Sequence, residues 1–217
     1  AGAGAGYFGT SVAVDGDRAV VGAARGLPWH QVTLYECPSS SIYGCQNRGQ
    51  AYIFERQSDG TWLQTFPEPQ FWGTGNVWRP DDIEDADQFG CSVAIEGDRV
   101  VVGAYLADAD DTCVHGTCTP GPSDAGAVYV FERQEANGVV TWTETAKLAV
   151  SNADLSDQFG ASVALDGDSI LVGANKADSS SGAAGAGAAY LFERGAVDCG
   201  TISDTAQMSV GGTMSTV

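Results

Sequence analysis

The chain has 217 residues, 43% of them apolar, which suits one all-β domain or two small ones with a packed core and excludes a disordered chain. Lys and Arg number 10 against 28 Asp and Glu, a net charge of −18, so phosphate backbones and anionic lipid surfaces are repelled and neither nucleic acid nor a membrane is an expected partner. The 29 glycines disfavour helices, because glycine inside one costs roughly 1 kcal/mol relative to alanine, and no run approaches the roughly 20 apolar residues of a membrane-spanning helix.

Ala1–Gly6 is an unusual entry strand or linker; without a following helix and lysine it is no phosphate loop. Ser11-Val-Ala-Val14 and Ala19-Val-Val-Gly22 are strands joined by Asp15-Gly16-Asp17, a tight-turn signal that makes them a hairpin. Tyr52–Arg56 alternates as a third strand, Gln57–Thr61 turns the chain, and Trp62 opens a fourth strand. Phe89–Ala104 and Phe159–Ala174 then repeat Phe8–Ala23 without gaps. Ala127–Arg133 and Ala188–Arg194 repeat Gln50–Arg56, and Thr141–Val150 lines up with Thr201–Val210. Three units result, at approximately 1–80, 81–151 and 152–217, each predicted to form four short strands. A four-stranded sheet repeated along a chain is the pattern of a β-propeller blade.

With Phe8-Gly9, Phe89-Gly90 and Phe159-Gly160, and Gly22-Ala23, Gly103-Ala104 and Gly173-Ala174, the repeat resembles the FG-GAP repeat of integrin α-chain propellers and many secreted proteins. Ala24, Tyr105 and Asn175 stand where the family often has proline. The resemblance implies an all-β fold of three FG-GAP propeller-type blades and an extracellular setting. Integrin-type repeats carry a Ca²⁺ loop between the two motif strands. Here that loop has shrunk to a turn such as Asp15-Gly16-Asp17, too short to supply the roughly six to eight oxygens that calcium takes, so the resemblance is to a calcium-less variant. Asp17, Asp98 and Asp168 are expected to bond their own backbone in these turns.

Residues present in every unit are best explained by packing and turn geometry. Ser11, Ser92 and Ser162 have no histidine beside them and are read as structural. Arg18, Arg99, Glu55-Arg56, Glu132-Arg133 and Glu193-Arg194 read as ion pairs at blade edges, and Trp62 and Trp142 as packing residues. Specific binding is then expected in the segments that differ, about 24–49, 66–86 and 105–125. Their aromatic residues Trp29, Tyr35, Tyr43, Phe71, Trp72 and Trp78 suit stacking on sugars or contact with a protein, or else cover the loops' own small cores. The only histidines, His30 and His115, sit in different units, and no Ser/His/Asp triad can be assembled.

The 6 cysteines favour an oxidising compartment. Cys37 with Cys45 and Cys113 with Cys118 are the expected local disulfides, zinc being the rival that lacks its usual spacing; Cys91 is expected to be buried, its pairing with Cys199 open. Asp108, Asp110 and Asp111, or the acids at 81, 82, 84, 85 and 87, could gather Ca²⁺ or simply keep an acidic protein soluble; no other cofactor is expected. The start at Ala1 fits a processed chain or a piece of a longer one. Closed propellers take about four to eight blades, so three blades leave apolar faces at both ends. The expected protein is secreted, non-enzymatic, structural or adhesive, and self-associating into a ring or filament, with insertion loops offered to a protein or glycan. A carbohydrate-binding module, a fragment of a larger extracellular protein and a hydrolase are the alternatives.

Overall fold

The computed structural model describes residues 7–25, 48–66, 80, 82–84, 86–109, 112–114, 117–119, 121–150, 154–178, 184–194, 202–209 and 215–216. All regular structure among them is β, and no helix is long and apolar enough to cross a membrane. In the first sheet β1 (Phe8–Asp15), β2 (Arg18–Ala23), β3 (Gln50–Arg56) and β4 (Trp62–Phe66) pair in chain order, each antiparallel to the next. The second sheet repeats this with β5 (Ser92–Glu96), β6 (Arg99–Ala104), β9 (Ala127–Ala136) and β10 (Val139–Leu148). Between its middle strands lies a separate hairpin of β7 (Thr112–Val114) and β8 (Thr117–Thr119). The third contains β11 (Phe159–Asp166), β12 (Ser169–Ala174), β13 (Ala188–Arg194), β14 (Ile202–Ser209) and the two-residue β15 (Ser215–Thr216).

The sequence reading thus errs by one strand in the third sheet. Four strands were expected, but the open edge of β14 takes Ser215–Thr216 as a fifth, as an unpaired strand edge readily does. The β7–β8 hairpin was also unforeseen; its threonines and Val114 favour extended backbone.

The Phe-Gly motif earns its place through a bulge. In β1 and β11 the register slips between the Phe and the Ser three residues on, with Gly9 at φ +89° and Gly160 at φ +90°; Gly90 matches them at +88°. A side chain is disfavoured in that left-handed region, and in the second and third sheets the Phe before this glycine is fully buried in the core. There Phe89 meets Tyr129 and Phe131 edge-on at 5.7 and 6.1 Å, and Phe159 meets Tyr190 and Phe192 at 5.5 and 5.8 Å. Each such pair adds roughly 0.5–1.5 kcal/mol beyond the area it buries.

The sheets stack in series. Val20, Ala51 and Ile53 of the first pack on Phe89, Val93, Ile95, Val100 and Val102 of the second. On the opposite face, Ala94, Val101, Val128 and Val130 of the second pack on Phe159, Ile170, Val172 and Tyr190 of the third. Because neighbouring residues of a strand point to opposite faces, Val100 and Val102 serve one junction and Val101 the other. The run of three valines in β6 follows from this burial on both sides. Close approach then requires the second glycine of the motif: a Cβ on Gly22 would overlap the carbonyl oxygen of Gly90, and one on Gly103 the carbonyl oxygen of Gly160.

Gly173 holds the matching position in the third sheet, where an added Cβ would meet only the rotatable hydroxyl of Ser162. Gly103→Ala should therefore destabilise the chain by roughly 1–3 kcal/mol, the usual cost of overpacking, while Gly173→Ala should cost under about 1 kcal/mol. Urea unfolding of both variants checks this, and equal losses would contradict the assignment.

Candidate functional site

The polar residues that recur in all units converge on the junctions. Ser11 Oγ donates to the Gly90 carbonyl at 2.8 Å, and Ser92 Oγ to the Gly160 carbonyl at 2.7 Å. The Arg18 guanidinium donates to the Gly97 carbonyl and to Asp98 Oδ1 at 2.8 and 2.7 Å; Arg99 donates to the Gly167 carbonyl at 2.9 Å, with Asp168 at 3.9 Å. In return, the Gly97 amide donates to Asp15 and the Gly167 amide to Glu96, both at 2.6 Å. Arg133 lies 3.8 Å from Glu55, and Arg194 3.2 Å from Glu132. Each sheet thus grips the hairpin turn of the next by its backbone and its charge. The serines and ion pairs take the structural role expected from their repetition. For the turn aspartates the expectation is corrected: Asp98 and Asp168 face arginines of the preceding sheet, and Asp17 lies 3.9 Å from Arg56 of its own. An arginine carrying several donors competes well for a carboxylate at a sheet junction.

At one end of the stack, where the first strand of each sheet begins and the second ends, lies a cavity of about 570 Å³. It is built from threefold-repeated positions: Tyr7, Gln88 and Gln158 before each Phe, Thr10, Cys91 and Ala161 after each Phe-Gly, and Ala24, Tyr105 and Asn175 after each Gly-Ala. Tyr7, Gln88 and Gln158 have φ of +53°, +58° and +60°, strained values for side-chain-bearing residues, held by the adjoining bulge. Tyr105 donates to Gln88 Oε1 at 3.1 Å, and Arg25 stands 5.3 Å over the Tyr7 ring. The lining is therefore a set of amides, hydroxyls and aromatic rims with one guanidinium, that of Arg25, suited to a hydrogen-bonding ligand.

Cys91 is half-buried and lines this cavity. It is a free thiol, 3.5 Å from the Gly160 carbonyl, and burial pushes its pKa up to about 11. At neutral pH it is protonated and a poor nucleophile.

Asp87 and Asp157 brace the loops behind this rim. Asp87 accepts the Glu84 amide at 2.7 Å and Asp157 the Asp154 amide at 2.8 Å. Burial pushes the Asp87 carboxyl up to about 7; the Glu84 amide opposes this, and the nearby Asp108, Glu84 and Asp82 add to it. Burial raises Asp157 as well.

Of the acids considered as cation ligands, Asp82 is occupied by Lys147 at 2.7 Å and by the Tyr129 hydroxyl at 3.1 Å, and Asp108 accepts the Asp124 amide at 2.9 Å. Among the described residues no three His, Cys, Asp or Glu side chains gather so as to hold a metal ion. Asp110 and Asp111 lie outside the described residues, as do Trp29, His30, Tyr35, Cys37, Tyr43, Cys45, Phe71, Trp72, Trp78, His115 and Cys199. The register of the β7–β8 hairpin sets Cys113 directly opposite Cys118. The packing role expected for Trp62 and Trp142 holds for Trp142, 5% exposed at the first junction, whereas Trp62, 43% exposed, occupies the matching place on a face with no sheet before it among the described residues. The cavity was missed by sequence reading, since its lining residues differ in type from unit to unit; only their shared offsets from Phe-Gly and Gly-Ala signal it.

A raised carboxyl pKa makes the folded chain bind a proton more tightly than the unfolded one. The stability from Asp87 is complete below its ordinary value of 3.8 and is lost as pH rises through about 7. The melting temperature should fall between about pH 4 and 7, and Asp87→Asn, which keeps an acceptor for the Glu84 amide, should flatten that fall. Charge repulsion across the acidic chain acts almost equally on both proteins, so an unchanged slope in the variant would refute the assignment.

A family model described as FG-GAP repeat matches residues 72–131 and 142–192, just over half of the chain. A search of the curated proteins finds no match. The two matches take in the hairpins of the second and third sheets, and the first sheet, outside both, has the same hairpin register and the same glycine of positive φ after its Phe. Since a family model accounts for most of two sheets and the third is built on the same motif, this chain belongs to the FG-GAP repeat family.

Proposed function

We propose that this chain is an extracellular, non-enzymatic structural or adhesive repeat protein whose stacked sheets support a binding end, and that copies of it associate through their outermost sheets. The observation that carries the reading is the placement of the variable segments. Ala24, Arg25 and Tyr105 line the cavity and are also the first residues of segments 24–49 and 105–125, so the segments that differ most between units leave from the rim of one concavity. Ser11, Arg18, Ser92 and Arg99 are engaged in the two internal junctions, which leaves the rim and its loops to supply specificity. A protein or glycan partner suits amide, hydroxyl and aromatic groups, and Trp29, Trp72 and Trp78 would add stacking surfaces if the partner is a sugar.

Binding should be measured on a glycan array and against extracellular-matrix proteins, with Tyr105→Ala and the Trp72→Ala, Trp78→Ala pair as variants. Loss of about tenfold in affinity with an unchanged melting temperature is the expected result. Turnover of a glycoside or ester substrate that vanishes on a single rim substitution would replace this reading with an enzymatic one. Light scattering in the micromolar range tests association, and a stable monomer throughout would defeat that part.

A further inference from the structure

Among the described residues, the second and third sheets each have a sheet packed before them and the first does not. The consequence is visible residue by residue: Phe89, Val93 and Ile95 are 0%, 8% and 8% exposed, whereas their counterparts Phe8, Val12 and Val14 are 60%, 69% and 67% exposed. At the other end Ser162, Ala164 and Asp166 of β11 are exposed, and Leu171 is 38% exposed where its counterpart Val101 is fully buried. The chain therefore carries both halves of one more junction, at opposite ends.

Resting on the reading that copies associate, we propose that the outer face of the first sheet docks on the outer face of the third sheet of a second copy, repeating the two junctions inside the chain. The internal junctions state what the occupant must offer, and the third sheet offers nearly all of it. Glu193 is exposed at the place from which Glu55 faces Arg133 and Glu132 faces Arg194, ready for Arg56 of the second copy. Asp166 stands where Asp15 and Glu96 accept a turn amide, ready for Gly16. Ser162 stands where Ser11 and Ser92 reach a bulge carbonyl, ready for Gly9. Gly173 leaves the space into which that carbonyl must come, as Gly22 and Gly103 do. One element is missing: Ser169 replaces the arginine that, as Arg18 and Arg99, holds the next turn. The junction between copies is thus the weakest in the series, which makes association reversible and head to tail.

The gap supplies the test, made by sedimentation velocity on the full 217-residue chain across the micromolar range, with circular dichroism confirming each fold. Ser169→Arg should tighten association about tenfold, and Gly173→Ala and Glu193→Arg should each weaken it by about as much. Arg56→Glu combined with Glu193→Arg should recover most of the loss. If the wild type associates but Ser169→Arg and Gly173→Ala leave it unchanged, this junction is wrong while self-association stands. If the wild type and Ser169→Arg are both monomeric throughout, the self-association reading itself fails.

Discussion

The whole stack depends on the approach of one backbone carbonyl to the preceding sheet. The bulge glycine, Gly90 or Gly160, points its carbonyl oxygen into a notch bounded by a serine hydroxyl and a glycine with no Cβ. Remove the notch and the sheets must separate, weakening every apolar contact between Val20, Ile53 and Phe89 on one side and Val101, Val130 and Phe159 on the other. Dispersion falls off steeply with such a gap, so a constraint on a few atoms governs the cohesion of many. Phe-Gly and Gly-Ala, far apart within a unit, are thus two sides of one contact between successive units.

The charged network serves the same end by different means. Each hairpin turn presents an amide, a carbonyl and a carboxylate to the sheet before it, and receives an acid and an arginine in return. Exposed ion pairs contribute little each, but Arg99 and Arg133 are held with side chains only 15% and 16% exposed, where water competes less well. They fix the order and register of stacking more than its strength. A chain of net charge −18 gains further from this arrangement, because Arg18, Arg99, Arg133 and Arg194 stand against acids of neighbouring sheets.

The cavity is a by-product of the same geometry. When bulges of successive sheets align, the residues on either side of each Phe-Gly gather at one end, in conformations that Tyr7, Gln88 and Gln158 would not adopt alone. Their chemistry varies from unit to unit, with Thr10, Cys91 and Ala161 at one repeated place.

From sequence alone the repeat, the hairpins and their Asp-Gly-Asp or Glu-Gly-Asp turns were legible, because periodic apolar residues and turn glycines act locally. The structural role of the serines and of Glu55, Arg56 and their counterparts was legible too, since repetition itself argues for scaffold. What the turn carboxylates do was not: Asp98 finds Arg18, 80 positions earlier, and no local rule announces it. Cys91 likewise looked like a core residue but lines a cavity, and β15 came only from an edge left open in three dimensions. Local chemistry determined the strands and turns of each unit; stacking alone decided which glycines must lack a side chain, which charges meet, and which faces of the first and third sheets remain open, because those depend on surfaces that distant parts of the chain bring together.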